Sequence, residues 1–428
     1  MLQTIKSAWK IPDLRKKILY TVLLIVVFRF GSFVPVPWID ANVVSNWLNN
    51  EQVGSTLFNL MNSFSGGSLA NATIFAMSIS PYINSSIIMQ LLTVAIPALE
   101  RMAKEGAEDR KKITKITRYV TVVLGAVQAW GLYLTLDSQG AIKPGAGVPE
   151  WLAMITIIVA FTAGTAFLMW LGEQITGRGI GNGISMIIFA GIVASIPTMI
   201  GTALLALKWY GWILLGVYVL LSIMFVVLIN DAERRIPVQY AKRVVGNKMY
   251  GGQSSNIPLK ITQGGVIPII FAMSIVSFPA TLAQLFANNN ANHWLSKVAQ
   301  FMTSGWFYPA FLFVLIVAFS YFYASITFNP IEVANNIKTN GGTIMGIRPG
   351  KPTSDYIKKV LGKITLIGAL ALAIVAIIPT IISNIVGLQI AALSLTGTSL
   401  LIVVGVALET VKQIEAQMVM RHYKGFLE

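Results

Sequence analysis

Two sets of residues with matching types and spacing are the strongest chemical feature of the chain. Both sets have the offsets 0, 4, 7, 11 and 14, begin with isoleucine and end with polar side chains. At 100° per residue these offsets fall within an arc of about 80° on one helix face. Such a stripe can provide hydrogen bonds between packed helices, or it can line a functional seam between them. With two matching stripes, we give the two interpretations equal weight. The sets are Ile79, Ile83, Ser86, Gln90 and Thr93, and Ile270, Ser274, Ser277, Thr281 and Gln284.

Residues for enzyme catalysis are scarce. The chain has no Cys and only two His, which excludes disulfides, thiolate metal sites and Cys nucleophiles. Metalloprotease, serine-hydrolase and Walker motifs are missing. The glycine-rich run 177–183 has the wrong spacing for a dinucleotide loop and indicates a tight turn. The sequence therefore predicts a protein that is not an enzyme and uses no metal or cofactor.

The composition indicates a membrane protein. Of the 428 residues, 55% are hydrophobic and 11% charged, whereas soluble domains carry about 25% charged residues. A membrane-spanning helix needs about 20 mostly apolar residues. We identify ten such runs, and nine spans is the main alternative because the fifth and sixth runs are separated by only a few residues. The runs are 18–34, 74–96, 119–136, 151–171, 184–206, 210–230, 264–286, 306–328, 364–386 and 392–408.

Basic residues indicate the orientation. With the N-terminus inside, the inside segments hold 28 of the 32 Lys and Arg, and the outside segments hold three. The positive-inside rule then predicts an all-α polytopic membrane protein with ten spans and both termini in the cytoplasm. We expect the first run to be retained, because no small-residue cleavage site follows it. Five spans per half predict two inverted halves, 1–207 and 208–428, around a central passage.

Charged groups within the spans are nearly absent. Nine runs contain no Asp, Glu, Lys or Arg, which argues against proton- or sodium-coupled transport. Arg29, in the first run, is interpreted as a snorkelling or helix-pairing residue near the outer end of its span.

The directions of the two striped spans predict a neck. The span with Ile79 and Ile83 runs inward and the span with Ile270 runs outward, so isoleucines at one depth would form an apolar constriction with a polar lining on each side. Such a constriction can exclude water and ions by dewetting, while a threading chain displaces its walls. Isoleucine suits this role, since it is stiff and has no hydrogen-bonding atoms.

Three connections are too long to be simple turns. Residues 35–73 lie outside, and the basic segments 231–263 and 329–363 lie inside. Positive-inside bias and attraction to anionic lipid, about 1 kcal/mol per basic residue near the surface, explain the charge. They do not explain the length, since long loops are usually functional. We favour docking of a cytosolic partner over topology alone.

At these residues the chain resembles the SecY family, the channel subunits of the bacterial protein-conducting translocon, over nearly its whole length. Each matching stretch alone is weak, but together they are very specific. The stretches are FRFGSFVPVP at 28–37, PYINSSIIMQLL at 81–92, GEQITGRGIGNGIS at 172–185, SFPAT at 277–281, GIRPG at 346–350 and GTSLL at 397–401.

The resemblance implies an hourglass channel with a central apolar ring and a plug. The plug is a short helix folded in from the first outside loop and corresponds to about 58–72. The ring residues implied by the family are Ile79, Ile83, Ile188, Ile270 and Ile402. The plug residues implied are Phe58, Leu60, Met61, Phe64, Gly66, Gly67 and Leu69.

The resemblance also implies a lateral gate and a set of partners. The gate lies between the second and seventh spans and is lined by the polar residues of the two stripes. Arg234, Arg235 and Arg243 in one inside loop and Arg348 in the other correspond to the positions that dock the SecA motor or the ribosome. SecE, and often SecG, are the family's partner subunits, and signal peptides, unfolded chains and membrane lipids are its other partners.

The expected function is a passive channel in the bacterial plasma membrane. Unfolded polypeptides would cross it, and apolar segments would leave sideways into lipid. The alternative is a secondary carrier or lipid scramblase that uses the same polar seam. The missing carboxylates disfavour a coupled carrier, and co-purification with ribosomes or a small partner subunit would distinguish the two.

Overall fold

A computed structural model describes residues 2–49, 55–104, 106–145, 147–206, 209–240, 243–245, 248–250, 254–286, 294–303, 306–386 and 391–424. These residues are mainly helical. The elements of the first half are α1 Leu2–Trp9, α2 Pro12–Gly31, α3 Ala41–Asn49, α4 Ser55–Phe64, α5 Ser80–Ala95, α6 Pro97–Lys104, α7 Ala107–Ser138, α8 Glu150–Arg178 and α9 Gly183–Ala206. The elements that follow are α10 Trp209–Asp231, β1 Glu233–Tyr240, β2 Arg243–Val245, β3 Lys248–Tyr250, β4 Ser254–Lys260, α11 Ile267–Phe286, α12 Trp294–Thr303, α13 Phe307–Thr327, α14 Pro330–Thr339, β5 Gly342–Ile344, α15 Lys351–Val386 and α16 Ala391–Lys424.

Each of the ten predicted apolar runs coincides with a helix, namely α2, α5, α7 to α11, α13, α15 and α16. Within the described ranges, five helical stretches are long and apolar enough to cross a membrane, and α5 with α6, bent by 106°, can form a sixth span. Shorter apolar stretches lie in α9, α10 and α11. Large apolar side chains such as Leu23, Phe30 and Leu220 are exposed on the outside of the bundle, as expected for a surface in contact with lipid.

The second predicted span is wrong at its outer end. Residues 74–79 form turns, and α5 begins only at Ser80. Ser78 has a φ of 53°, in the left-handed region that right-handed helices exclude. Pro81 then occupies the first turn of α5, where its missing N–H costs no helical bond. Ile79 is therefore the residue that caps α5 rather than part of a continuous helix.

Close backbone contacts hold the non-helical segment and the neighbouring helices together. A Cβ on Gly164 of α8 would lie 2.0 Å from the carbonyl oxygen of Ile74, so the segment rests directly on the α8 backbone. A Cβ on Gly183, at the start of α9, would lie 1.8 Å from the carbonyl oxygen of Gly172 in α8. Glycine is therefore required at both positions for sterically simple reasons.

The described parts of the basic segments 231–263 and 329–363 fold into one unit, which the prediction of an all-helical protein did not include. Strands β4, β1 and β5 form a sheet in that order, and β2 and β3 form a separate hairpin. Strand β1 pairs antiparallel with β4, and Val238 of β1 pairs with Ile344 of β5. We call the three strands the loop sheet. A small apolar core of its own, which includes Ile236, Leu259 and Ile357, lies beneath it.

The contact at Gly183 gives a test of the packing between α8 and α9. Gly183→Ala should lower the free energy of unfolding by about 1–3 kcal/mol, because a methyl group has no space beside the Gly172 carbonyl. The matched control is Gly201→Ala in the same helix, where nothing lies within 4 Å of the added Cβ. Thermal unfolding in detergent should show a lower Tm for the first variant and an unchanged or higher Tm for the control. Equal Tm values for the two variants would contradict this packing.

Candidate pore and docking surface

The five isoleucines of the expected ring all lie in one buried apolar core. Ile79 caps α5 and Ile83 lies in its first turn, while Ile188, Ile270 and Ile402 come from α9, α11 and α16. Each side chain is less than a tenth exposed. All five belong to the same cluster of buried hydrophobic residues, whose members come from helices between α2 and α16. Four separate elements therefore contribute isoleucine to one buried core.

The seam between α5 and α11 brings the two polar stripes to neighbouring helices, because α5 and α11 are in contact. The described hydroxyl and amide groups bond within their own helix. Gln90 Nε2 donates to Ser86 Oγ at 3.3 Å, Thr93 Oγ1 donates to the Met89 carbonyl at 2.7 Å, and Ser277 Oγ donates to the Ser274 carbonyl at 2.8 Å. These bonds do not tie one helix to the other.

Two members of the second stripe lie outside the described side chains. Thr281 and Gln284 belong to α11 by their backbone, but nothing is described of their side chains. The stripe is thus traced from Ile270 through Ser274 to Ser277.

The expected plug residues occupy α4 and the turns that follow it. Phe58 packs edge-on against Trp47 at 4.6 Å between ring centres, and Phe64 packs against the central core that contains the isoleucines. Met61 and Leu69 pack in a second apolar cluster, formed with α3, α7 and α8. Only the backbone of Leu60 is described. The segment therefore lies between the central core and this second cluster.

The turn after α4 is anchored by residues from three other places in the chain. Arg29 Nη1 of α2 donates to the carbonyl oxygen of Gly66 at 2.8 Å, so this arginine, expected to snorkel or to pair helices, joins α2 to the turn that ends α4. Ser78 Oγ donates to the carbonyl oxygen of Phe64 at 3.4 Å. A Cβ on Gly191 of α9 would lie 2.1 Å from that same oxygen. The sequence offered a signal for Arg29, the one charge in an apolar run, but none for Gly191.

An ion pair joins the segment before α3 to the segment after α7. Lys143 Nζ lies 2.7 Å from Asp40 Oδ2, and the main chain pairs Ile39 with Ile142. The hydrogen bond from Lys143 lowers the pKa of the Asp40 carboxyl below its ordinary value. Lys143 is exposed and Asp40 is partly exposed, so a pair at this surface position contributes little to the stability of the fold.

The basic residues expected to dock a partner lie on or beside the loop sheet. Arg234 and Arg235 are exposed on β1, and Arg235 Nε lies 2.7 Å from Glu233 Oε1. Arg348 is exposed in the turn after β5, where its carbonyl accepts a hydrogen bond from Thr353 Oγ1 at 2.9 Å. The backbone of Arg243 belongs to β2, and its side chain lies outside the described part. Because β5 pairs with β1, the two predicted docking loops present one shared surface.

The fold and these features define the class, a polytopic helical membrane protein with a buried apolar centre and a folded extramembrane loop unit. Comparison with known proteins then gives the family. The SecY family profile matches residues 73–411. The chain belongs to the SecY family.

Relatives and solved structures agree with this assignment. The chain is 46% identical over 448 residues to the protein translocase subunit SecY of Streptomyces galbus, with 100% of both chains covered. It is 41% identical over 434 residues to that of Thermotoga maritima, covering 100% of this chain and 98% of the other. A solved structure described as a protein-conducting channel covers 94% of this chain and 92% of its own, with a TM-score of 0.63 at 17% identity. Sec61 in a canine ribosome–channel complex has a TM-score of 0.58 at 15% identity, with the same coverage.

The pairing of β5 with β1 gives a test that the two inside loops form one unit. Ile344→Ala should loosen the loop sheet by about 2–5 kcal/mol, because the side chain is buried in the core beneath it. Limited proteolysis should then cut both loops faster. The control is Thr343→Ala, an exposed residue of the same strand, which should leave both rates unchanged. Faster cleavage confined to the loop that carries the substitution would contradict a shared unit.

Proposed function

We propose that this chain is the channel subunit of a protein translocase, which passes unfolded polypeptides across a membrane and releases apolar segments into lipid. The observation that carries the proposal is similarity over the full chain to SecY translocase subunits, together with isoleucine from four elements in one buried core. The structure matches of low identity support the fold on which this reading depends.

The ring of five isoleucines is the proposed barrier. Each of the five residues is less than a tenth exposed, so water has little access to them, which supports a closed neck. Water avoids a narrow apolar constriction, and ions cannot shed their hydration there. A polypeptide offers its own apolar and peptide groups as it pushes the side chains apart. The segment 58–72, which lies between the central core and the second apolar cluster, is the proposed plug.

The seam between α5 and α11 is the proposed lateral gate. Its described polar groups bond within their own helices, so parting the two helices leaves these bonds intact. An apolar segment in the channel then partitions into lipid. Leu, Ile, Phe and Val each gain about 0.3–0.6 kcal/mol at a helix centre, so a run of 15 gains about 5 kcal/mol or more.

The proposed partners follow from family membership and from the loop sheet. SecE and SecG are the companion subunits, and the SecA motor and the ribosome are the cytosolic partners. Exposed Arg234, Arg235 and Arg348, on or beside the loop sheet, supply the basic contacts for docking. The proposed location is the bacterial plasma membrane, with both termini in the cytoplasm, two halves at 1–207 and 208–428, and the loop sheet facing the cytosol.

Reconstitution tests the proposal as a whole. The full chain is placed in proteoliposomes with SecE, and SecA, ATP and a secretory precursor are added. Protection of the precursor from external protease should appear only with ATP and SecA. The control omits this chain from otherwise identical vesicles. Protection that is equal in both preparations would reject the proposed function.

The neck predicts a specific leak. Ile83→Asn combined with Ile270→Asn should raise the resting ion conductance of the proteoliposomes, because amide side chains let the constriction hold water. Ile83→Val with Ile270→Val is the matched control and should leave the conductance low, since both positions stay apolar. An unchanged conductance in the Asn variant would rule out closure by dewetting.

The proposed docking surface predicts that a substitution there impairs SecA-driven translocation without affecting insertion of the channel into the membrane. Arg348→Glu should reduce SecA-driven translocation several-fold, because it puts a negative charge where a basic contact is proposed. Insertion of the channel into the membrane should be unaffected, since the residue is exposed. Lys338→Glu changes the net charge of the same loop by the same amount at another exposed position and should have a smaller effect. Equal translocation by the Arg348 variant and the parent would refute the assignment.

A further inference from the structure

Arg29 carries the only charge within the ten apolar runs. Its described hydrogen bond goes to a backbone carbonyl oxygen. Its Nη1 donates to the carbonyl of Gly66 at 2.8 Å, and its guanidinium carbon lies 4.8 Å from the centre of the Phe33 ring. No carboxylate forms an ion pair with it in the part of the chain that the structure describes. A half-buried charge in an apolar region is costly, so this contact needs an explanation.

The acceptor lies at the C-terminus of the plug helix. Gly66 N donates to the Ser63 carbonyl at 3.2 Å, and Gly67 N donates to the Asn62 carbonyl at 2.8 Å. With Gly66 at a φ of +69°, this is a Schellman turn, in which glycine takes the left-handed position. The carbonyls at such an end carry the negative pole of the helix dipole. A cation there is held by the dipole as well as by the hydrogen bond.

The same end of the helix fits into a recess that admits no side chain. A Cβ on Gly191 would lie 2.1 Å from the Phe64 carbonyl oxygen, and one on Gly66 would lie 3.2 Å from the Gly191 carbonyl oxygen. Ser78 Oγ also reaches the Phe64 oxygen at 3.4 Å. The helix end is therefore seated against α9, with Arg29 of α2 providing the charged contact.

The seated segment is bonded largely to itself. Ser65 Oγ donates to the Asn62 carbonyl, Ser68 Oγ donates to the Ser65 carbonyl, and Asn62 Oδ1 accepts from Ala70 N. These bonds survive if the segment moves as one body. The bonds from Arg29 and Ser78 to its backbone do not.

We propose that Arg29 is the latch that holds the plug in the closed channel, an inference that rests on the proposed function of 58–72. Its hydrogen bond to the Gly66 carbonyl exists only when the plug helix is seated beside Gly191. When the plug is displaced, the half-buried guanidinium loses its hydrogen bond and its position beside the negative end of the helix dipole. That loss biases the channel toward closure and draws the plug back when the translocating chain has passed. Arg29 is thus a positioning residue of the closed state and not part of the neck.

Cysteine labelling measures the seated fraction directly, because the chain contains no Cys. Ser68→Cys introduces one thiol at a position that is fully buried when the plug is seated. The full chain is reconstituted with SecE, and a membrane-impermeant maleimide is added outside. In this background Arg29→Gln and Arg29→Met should raise the labelling rate about tenfold or more, the effect of losing one charge-assisted hydrogen bond. Arg29→Lys, which keeps the charge and a donor, should raise it less.

Two further variants make the result decisive. Gly191→Ala should raise labelling by obstructing the recess while Arg29 stays intact. Arg118→Gln removes an arginine that pairs with Glu173 at 2.7 Å, far from the plug in the chain, and should label at the parental rate. If the Met variant fails to insert, the Gln variant decides the outcome. Parental labelling of the Arg29 variants, with faster labelling of Gly191→Ala, overturns the latch.

Resting conductance, measured on the same vesicles, separates the latch from the plug itself. Faster labelling together with higher conductance in the Arg29 variants supports both. Faster labelling with parental conductance supports the latch but shows that the segment does not close the channel. In that case the proposed plug function fails while the contact of Arg29 keeps its role.

Discussion

A membrane offers no water to hydrogen-bond backbone groups, and this constraint governs the most unusual part of the molecule. The stretch 65–79 lies within a helical bundle without being helical, so its N–H and C=O groups must find partners inside the protein. They do so both locally and across the chain: Thr73 N donates to the Ser68 carbonyl at 3.0 Å, and Ile74 N donates to the distant Val34 carbonyl at 3.0 Å. Irregular backbone at such a depth is tolerated only where protein surrounds it, which is why the stretch lies against glycines of α8 and α9.

The isoleucine core and the seam between α5 and α11 differ from this stretch in how they are held together. The isoleucine core contributes no directional bonds, and the described hydroxyls of the seam are satisfied within their own helices. Surfaces of this kind can part without leaving buried polar groups unpaired, which would cost about 1–3 kcal/mol each. Directional bonds are concentrated instead at the end of α4, where Arg29 and Ser78 reach two neighbouring carbonyls. The isoleucine core and the described part of the seam are thus free of hydrogen bonds between helices, whereas the end of α4 is held by polar contacts.

The sequence predicted the helices far better than it predicted their interruptions. Each of the ten long apolar runs falls on a helix, although α5 begins later than predicted, because helix length and hydropathy are local properties. The turn at 74–79 was missed, since its residues are as apolar as a helix and only the left-handed Ser78 breaks it. The loop sheet was missed as well, because β1 and β5 lie about a hundred residues apart and each is short. The isoleucine stripes were visible in sequence, whereas the seat at Gly191 depends on a contact between distant segments.

The loop sheet is linked to the seam by a short, packed connection. Strand β4 ends at Lys260 and α11 begins at Ile267, and within the link Ile261 N donates to the Ala232 carbonyl at 3.0 Å. A Cβ on Gly368 of α15 would lie 2.5 Å from the Ile261 carbonyl oxygen, so the α15 backbone also packs directly against Ile261. The loop sheet and α11 are therefore joined by six residues that pack against other parts of the chain. Coupling through packed elements needs two discrete arrangements, and under the proposed function the seam between α5 and α11, whose described hydrogen bonds lie within single helices, is where the second arrangement would form.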